Sequence, residues 1–256
     1  MLSKNQIRQL RNLQRKKARH ELGLFLVEGG KPVAELLASD WPVRDVFVTD
    51  DYAERHAALL QQTSARVTRC TAEQLTAAGS LGSNREAIAV AAIRQDQVPL
   101  QHRPGQWILA LDRINDPGNL GTLLRIADWY GICQLVCSPD TVELYNPKVI
   151  SASMGSFLRV NVQYRSLELW LDSLPAEVPV LGAYLDGESV HGLPAMPAGG
   201  VLLMGSEAHG LAPELSGHVT RRITIPCFGQ AESLNVAMAT AILCDNLARI
   251  NDFSAQ

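Results

Sequence analysis

The stretch LDRINDPGNLGTLLR, residues 111–125, joins an apolar strand to a helix through a Pro-Gly-Asn-Leu-Gly turn. Asn119 falls near the start of that helix, and Arg125 follows about 1.7 turns later, so the two side chains face neighbouring rather than identical directions. Gly118 and Gly121 suit a sharp turn or close approach to a ligand, and Asn119 is a candidate helix cap. Core packing calls for neither an amide nor a guanidinium at this spacing. Either the pair is a cap and a solvated charge, or it belongs to a site at a strand end.

Outward from this turn, short apolar runs alternate with helical patterns in both directions. Upstream, strands are expected at 24–27, 43–48, 65–68 and 87–92, with helices at 3–20, 32–38, 52–62 and 72–78; Ser3 is the expected cap of the first helix. Downstream, strands are expected at 107–111, 134–137, 159–162, 180–185, 201–204 and 222–225. The helices between and after them fall at 120–130, 147–154, 167–171, from Pro213, and at 233–250. The intervening 94–104 is rich in Gln, Asp, His and Pro and reads as a linker. The expected organisation is therefore α/β, with a smaller domain at 1–93, a linker at 94–104 and a parallel-sheet domain at 105–256.

A chain of 256 residues that is 46% hydrophobic can build two buried cores, and a net charge of −3 excludes both a disordered composition and a bulk polycation. The charge is nevertheless uneven. Lys4, Arg8, Arg11, Arg15, Lys16, Lys17 and Arg19 stand against one acid, Glu21, in the first 22 residues, so a positive field is expected at that end. The five cysteines are scattered and odd in number, as expected of reduced thiols in a cytoplasmic protein; Cys133 and Cys137 have no histidine pair nearby, and no metal is expected. No run has the roughly 18 apolar residues needed to cross a bilayer, and the first residues lack the apolar core of a signal peptide.

Ligands of parallel sheets bind beyond the carboxyl ends of the strands, which directs attention to two further loops. One reads GSEAHGL, residues 205–211, after the strand at 201–204. His209 beside Ser206 is not a hydrolase signature, because the G-x-S-x-G elbow is missing and no acid is placed to orient the imidazole. The other reads PCFGQAESLN, residues 226–235, and leads into an apolar helix that Ser233 could cap, leaving free N–H groups for an acceptor.

Taken in order, N-L-G-x-x-x-R, G-S-E-x-x-G-L and I-P…E-S-L-N-V resemble the three motifs of the SpoU/TrmH branch of the SPOUT RNA methyltransferases. The likeness extends along the whole chain: Val27-Glu28-Gly29 is similar to part of an L30e-like substrate-binding domain, and SASMGS (151–156) to a further family pattern. The resemblance implies a catalytic domain with a parallel sheet and a deep trefoil knot, which would be an exception to the rule that folds are unknotted. It also implies transfer of a methyl group from S-adenosylmethionine to a ribose 2′-hydroxyl, ribosomal RNA being the expected substrate and transfer RNA the alternative. Family members act as homodimers with sites at or near the subunit interface. A reading from another class is an RNA-binding or assembly factor that kept the fold without the activity.

Carried onto this sequence, the resemblance makes Arg125 the catalytic arginine and Asn119 its partner, with Glu207, Ser233 and Asn235 organising the site. It assigns Met204, Gly205, Ile225, Pro226, Leu234 and Asn235 to the cofactor, with Ala183 on the adenine and ribose side. A guanidinium stays charged in proteins, so Arg125 is better suited to holding a phosphate and a developing alkoxide than to acting as a free base. The seven basic residues of the opening segment are expected to attract RNA as a field. The chain departs from the family pattern at Ser206, where Asn usually precedes the glutamate; a hydroxyl lacks the paired donor and acceptor of an amide.

Overall fold

The computed structural model describes residues 2–82, 84–94, 99–193 and 197–250, so residues 95–98 of the expected linker lie outside the described residues. The chain forms two compact units, Met1–Asp96 with Glu143–Leu158, and Gln97–Val142 with Arg159–Gln256. The segment Glu143–Leu158 thus packs with the first unit, although sequence reading grouped it with the second half. Among the described residues no helix is long and apolar enough to cross a membrane.

The first unit opens with α1 (Lys4–Asn12), which Ser3 caps by accepting from the Gln6 amide while the Gln6 side chain accepts from Ser3 N. The single helix expected over 3–20 is two helices, because α2 starts afresh (Lys16–Leu22). The cause is Arg19. Its side chain is 2% exposed, its guanidinium donates to the carbonyls of Leu13 (2.9 Å) and Gln14 (2.8 Å) at the break, and it pairs with Glu143. Arg19 is therefore a structural ion buried at the break between the two helices rather than part of the basic field expected of it.

The unit continues through β1 (Leu24–Glu28), α3 (Gly30–Leu37), β2 (Val43–Val48), α4 (Asp50–Arg55), α5 (Ala57–Gln62), β3 (Arg66–Arg69), α6 (Ala72–Ala78) and β4 (Ala87–Ala92). The expected helix at 52–62 is interrupted at His56, whose ring packs against Tyr52 with centroids 4.3 Å apart. The sheet order is β1-β4-β2-β3, with β4 antiparallel to both neighbours and β2 parallel to β3. Leu26, Phe47, Ile88 and Val90 pack with Leu10, Leu13 and Leu75 in one core. Elsewhere in this unit Phe25 contacts Trp41, Tyr145 and Phe157, so the later segment contributes two of its four rings. Glu28, of the family-like Val-Glu-Gly, is buried and accepts from Ser80 N, Ser80 Oγ and Leu81 N; it secures the loop after α6.

The remaining elements are β5 (Trp107–Leu111), α7 (Pro117–Trp129), β6 (Gln134–Cys137), α8 (Pro147–Ser153, in the first unit), β7 (Asn161–Tyr164), α9 (Leu167–Asp172), β8 (Val180–Ser189), β9 (Gly200–Met204), β10 (Arg221–Thr224) and α10 (Val236–Ile250). The short helix expected from Pro213 is a 3-10 helix at Pro213–His218. The six strands of the second unit form a wholly parallel sheet in the order β10-β8-β9-β5-β6-β7. From β5 the chain runs outward to β6 and β7, then returns on the other side of β5. A ligand crevice is expected at such a switch. Burial pushes the Cys70 thiol up to about 11 and the Cys244 thiol up to about 12, and raises Cys137 further, so these three stay protonated and inert at neutral pH.

Arg19→Ala is expected to destabilise the first unit by about 3–5 kcal/mol, since it leaves Glu143 without its buried partner. Lys16→Ala, at an exposed position of the same helix, should stay within about 0.5 kcal/mol. Urea unfolding of the two variants measures the contrast.

Candidate active site

Helix α7 begins at Pro117, and its cap is Asp116, whose Oδ1 accepts from Asn119 N at 2.8 Å. Asn119 is therefore not the cap that sequence alone suggested, and its amide is free for other work. Its Nδ2 donates to Glu207 Oε1 at 3.1 Å, and its Oδ1 accepts from Asn235 Nδ2 at 2.9 Å. Asn235 Nδ2 also donates to Glu207 Oε1 at 2.6 Å. The loops that follow β5, β9 and β10 thus meet in one triangle of side chains.

Helix α10 orients that triangle. Asn235 Oδ1 accepts from Ala237 N (3.0 Å) and Met238 N (3.3 Å), so Asn235 caps the helix. Ser233, the expected cap, is exposed and has no hydrogen-bond partner among the described residues; the helix starts three residues later than expected, at Val236. Val236 N donates to Glu207 Oε1 at 3.2 Å, which sets a carboxylate at the positive end of a 15-residue helix.

Beside the triangle lies a cavity of about 690 Å³. Its walls come from 183–186, 204–211, 223–228 and 231–234, together with Val236, Ala239 and Leu243 of α10. Of the residues sequence reasoning assigned to a cofactor, Ala183, Met204, Gly205, Ile225, Pro226 and Leu234 line it, while Asn235 stands behind Glu207. Glu207 and Ser233 also line the cavity; Asn119 does not. Arg125 is exposed on α7, outside the lining, and no side chain among the described residues pairs with it.

Two walls depend on close backbone approach. A Cβ at Gly205 would run into Gly210 and Leu211, because Ser206 and Gly210 exchange backbone hydrogen bonds at 3.1 and 2.9 Å and fold the loop back on itself. The glycine thus serves loop closure. Strand β8 supplies the second wall: its pairing with β10 jumps from Gly182 opposite Arg222 to Glu188 opposite Ile223, and the residues between leave the ladder to face the cavity. Gly187 brings the chain back, where a Cβ would lie 2.6 Å from the Ile223 carbonyl carbon. Sequence reading ended this strand at 185 and missed Tyr184, Leu185 and Asp186 as wall residues; a glycine within a strand pattern was the available signal.

The cavity is chemically one-sided. Asp186, Glu207 and Glu232 line it with His209, and no Lys or Arg is among the lining residues described. Apolar side chains of Met204, Ile225, Leu234 and Leu243 cover much of the rest. This suits a ligand with a flat apolar portion and positive charge, as S-adenosylmethionine has in its adenosyl group, sulfonium and ammonium. Ser206 Oγ accepts from the His209 backbone at 3.2 Å, so Ser206 and His209 interact as a turn rather than as a nucleophile and base.

A parallel sheet whose carboxyl-end loops enclose an acid-lined cavity defines an α/β protein with a candidate site for a cationic small molecule beyond its strand ends. Comparison with known proteins makes this specific: the model of the SpoU rRNA methylase family matches residues 106–245, and that of the MRM3-like substrate binding domain matches residues 4–85. The chain belongs to the SpoU rRNA methylase family. Over 247 residues it is 30% identical to the 23S rRNA (guanosine(2553)-2′-O)-methyltransferase RlmP of Bacillus subtilis strain 168, covering 96% of this chain and 97% of that protein. Among solved structures, it is similar to one from Porphyromonas gingivalis assigned to the TrmH family of RNA methyltransferases, with 35% identity, a TM-score of 0.80 and coverage of 97% and 99%. An S-adenosylmethionine-bound rRNA methyltransferase from Sinorhizobium meliloti matches at 27% identity with a TM-score of 0.85, covering 97% of this chain and 96% of that one. The second unit accordingly has the SPOUT methyltransferase fold.

Gly205→Ala is expected to weaken binding of S-adenosylhomocysteine at least about tenfold, because the closed loop must open to admit the methyl group. Isothermal titration calorimetry measures it, with wild-type affinity as the opposing result.

Proposed function

We propose that this chain transfers a methyl group from S-adenosylmethionine to a ribose 2′-hydroxyl of ribosomal RNA in the cytoplasm. The observation that carries the reading is the acid-lined cavity joined, through Glu207, to the triangle of Asn119 and Asn235. Ribosomal RNA is favoured over transfer RNA because RlmP, which is similar along its whole length, is named for 23S rRNA, and because a substrate-binding domain model matches the first unit.

The cofactor would supply an activated methyl carbon on a sulfonium. The chain's own residues divide the remaining work. The loops at 204–211 and 223–228 and Leu234 hold the ligand, with Glu207 and Glu232 supplying negative charge toward its cationic portion. Asn119 and Asn235 fix Glu207 so that it need not reorganise. Among the described residues no side chain pairs with the Arg125 guanidinium, and we assign it to the RNA, where it would grip the phosphate next to the target ribose and stabilise the 2′-oxygen as its proton passes to that phosphate or to water and S-adenosylhomocysteine leaves. We assign the partner protomer of a homodimer to completing the site: Trp129 on α7 and Met238 on α10 are exposed at 84% and 65%, apolar surface that a second copy would cover. The basic field now comprises Lys4, Arg8, Arg11, Arg15, Lys16 and Lys17, without Arg19.

Incubation with labelled S-adenosylmethionine and unmodified 23S rRNA, followed by mapping of 2′-O-methyl positions, tests the function. Transfer to a single ribosomal nucleotide is expected; transfer to tRNA only would move the substrate, and cofactor binding with no transfer to any RNA would leave a binding factor. In the same assay Arg125→Lys should lower kcat about 10²-fold while leaving cofactor affinity unchanged. A variant with Arg15→Gln and Lys16→Gln should bind RNA with a salt dependence shallower by roughly one to two units of slope, by filter binding across a salt series.

A further inference from the structure

The buried carboxylate of Asp112 stands at the end of β5, outside the cavity and outside every motif residue given a role above. It is 3% exposed. Its backbone N donates to Met204 O at 2.9 Å, immediately before the loop at 205–211, and its Oδ2 accepts from Ala212 N at 2.9 Å, immediately after it. One residue therefore holds both ends of the loop that carries Glu207. Arg113 adds a third attachment. Its Nε donates to the same Asp112 Oδ2 at 3.1 Å, and its Nη2 reaches Gly210 O at 3.4 Å.

Arg113 makes these contacts from a left-handed backbone, φ 54°, one of two non-glycine residues so placed among the described residues. An arginine gains nothing from that conformation locally, and glycine would adopt it freely. The backbone is held by Arg113 N donating to Ser138 Oγ at 2.8 Å, and Ser138 Oγ in turn lies 3.1 Å from Thr141 Oγ1. Strain of this kind persists where surrounding contacts over-determine it, and it is concentrated at functional sites.

We propose that Asp112 and Arg113 are positioning residues for methyl transfer: they act on the cofactor by clamping the neck of the loop at 205–211, and so set where Glu207 meets Asn119 and Asn235. The proposal rests on the cavity being the cofactor site. The loop has little slack to compensate, since Ser206 and Gly210 exchange backbone hydrogen bonds across it and even a Cβ at Gly205 would run into Gly210 and Leu211. Releasing Ala212 N or Gly210 O lets the neck widen, and Glu207 moves away from the amides of the other two loops.

Arg113→Gly separates this role from folding, because it relieves the left-handed backbone while removing the guanidinium. Its Tm should equal or exceed that of wild type, whereas S-adenosylhomocysteine binding by calorimetry should weaken about fivefold to tenfold and kcat should fall, with the Kd for RNA unchanged. Asp112→Ala should show a larger loss of cofactor affinity, at least tenfold. Hydrogen exchange provides a readout without cofactor: the Ser206, Gly210 and Ala212 amides should exchange at least tenfold faster in Arg113→Gly, and the β5 and β9 amides at wild-type rates. Should Asp112→Ala fail to fold, the Arg113→Gly measurements decide alone. Wild-type exchange at the three loop amides, or cofactor affinity within twofold of wild type, overturns the proposal. Failure of the wild-type protein to bind S-adenosylhomocysteine would instead remove the cofactor reading of the cavity, while the exchange data would still report on the clamp.

Discussion

Three hydrogen bonds converge on a single oxygen, Glu207 Oε1, and the site is organised around it. Each donor brings a different constraint. The Val236 amide ties the carboxylate to a helix start, the Asn235 amide ties it to the loop after β10, and the Asn119 amide ties it to the first turn of α7. Hydrogen bonds to an ionised acceptor are worth about 1.5–3 kcal/mol when shielded and less when exposed, as these partly are. Their value here is directional. Asn235 has committed its oxygen to two amides of α10, so only its NH₂ can face the triangle, and Asn119 must then present its own oxygen to Asn235 and its NH₂ to Glu207. An aspartate at 119 or 235 would face Glu207 with a like charge and no donor, whereas the amide is both donor and acceptor.

The parallel sheet makes such a convergence available. Its strands all point one way, so loops separated by more than a hundred residues emerge along one edge. Apolar side chains of β5, β6 and β9 are buried, which fixes those strand ends with little freedom. The excursion of β8 works against this regularity. By leaving the ladder with β10, residues 183–187 give up pairing and gain a wall over the cavity; Tyr184 stacks under the Arg222 guanidinium at 3.9 Å, and Arg222 pairs with Asp186 at 3.2 Å. Contacts within the bulge offset some of the lost ladder.

Most of the alternation was legible because a parallel strand buried on both faces reads as a short apolar run, and such runs are unambiguous when helices separate them. Polar detail was less legible, for identifiable reasons. Asp116, Asn119, Ser233 and Asn235 are all residue types that cap helices, and composition cannot say which of two neighbours does so; the structure gives both caps to the one nearer Pro117 or Val236 and frees or exposes the other. Arg19 looked like its six basic neighbours because a sequence carries no burial, and its partner Glu143 lies 124 residues away. The same distance hid the membership of Tyr145 and Phe157 in the first unit. Asn119, in contrast, stood out at once as a polar residue without a packing purpose, and it does belong to the candidate site.

Ser206 is the one position where the chain departs from the motif pattern, and the loop geometry explains how a hydroxyl can serve there. The loop needs two things from residue 206: a backbone that bridges to Gly210, which any residue can provide, and a side-chain acceptor for the His209 N–H, which serine provides at 3.2 Å. An asparagine side chain would offer the same acceptor together with an NH₂. That second group has no task in the triangle, where both of Glu207's side-chain donors are amides from other loops. The substitution therefore removes a donor at a turn whose closure depends on an acceptor. Glu207 is held by Asn119, Asn235 and Val236, none of which contacts Ser206 through a hydrogen bond among the described residues, so the hydroxyl leaves the triangle as it is.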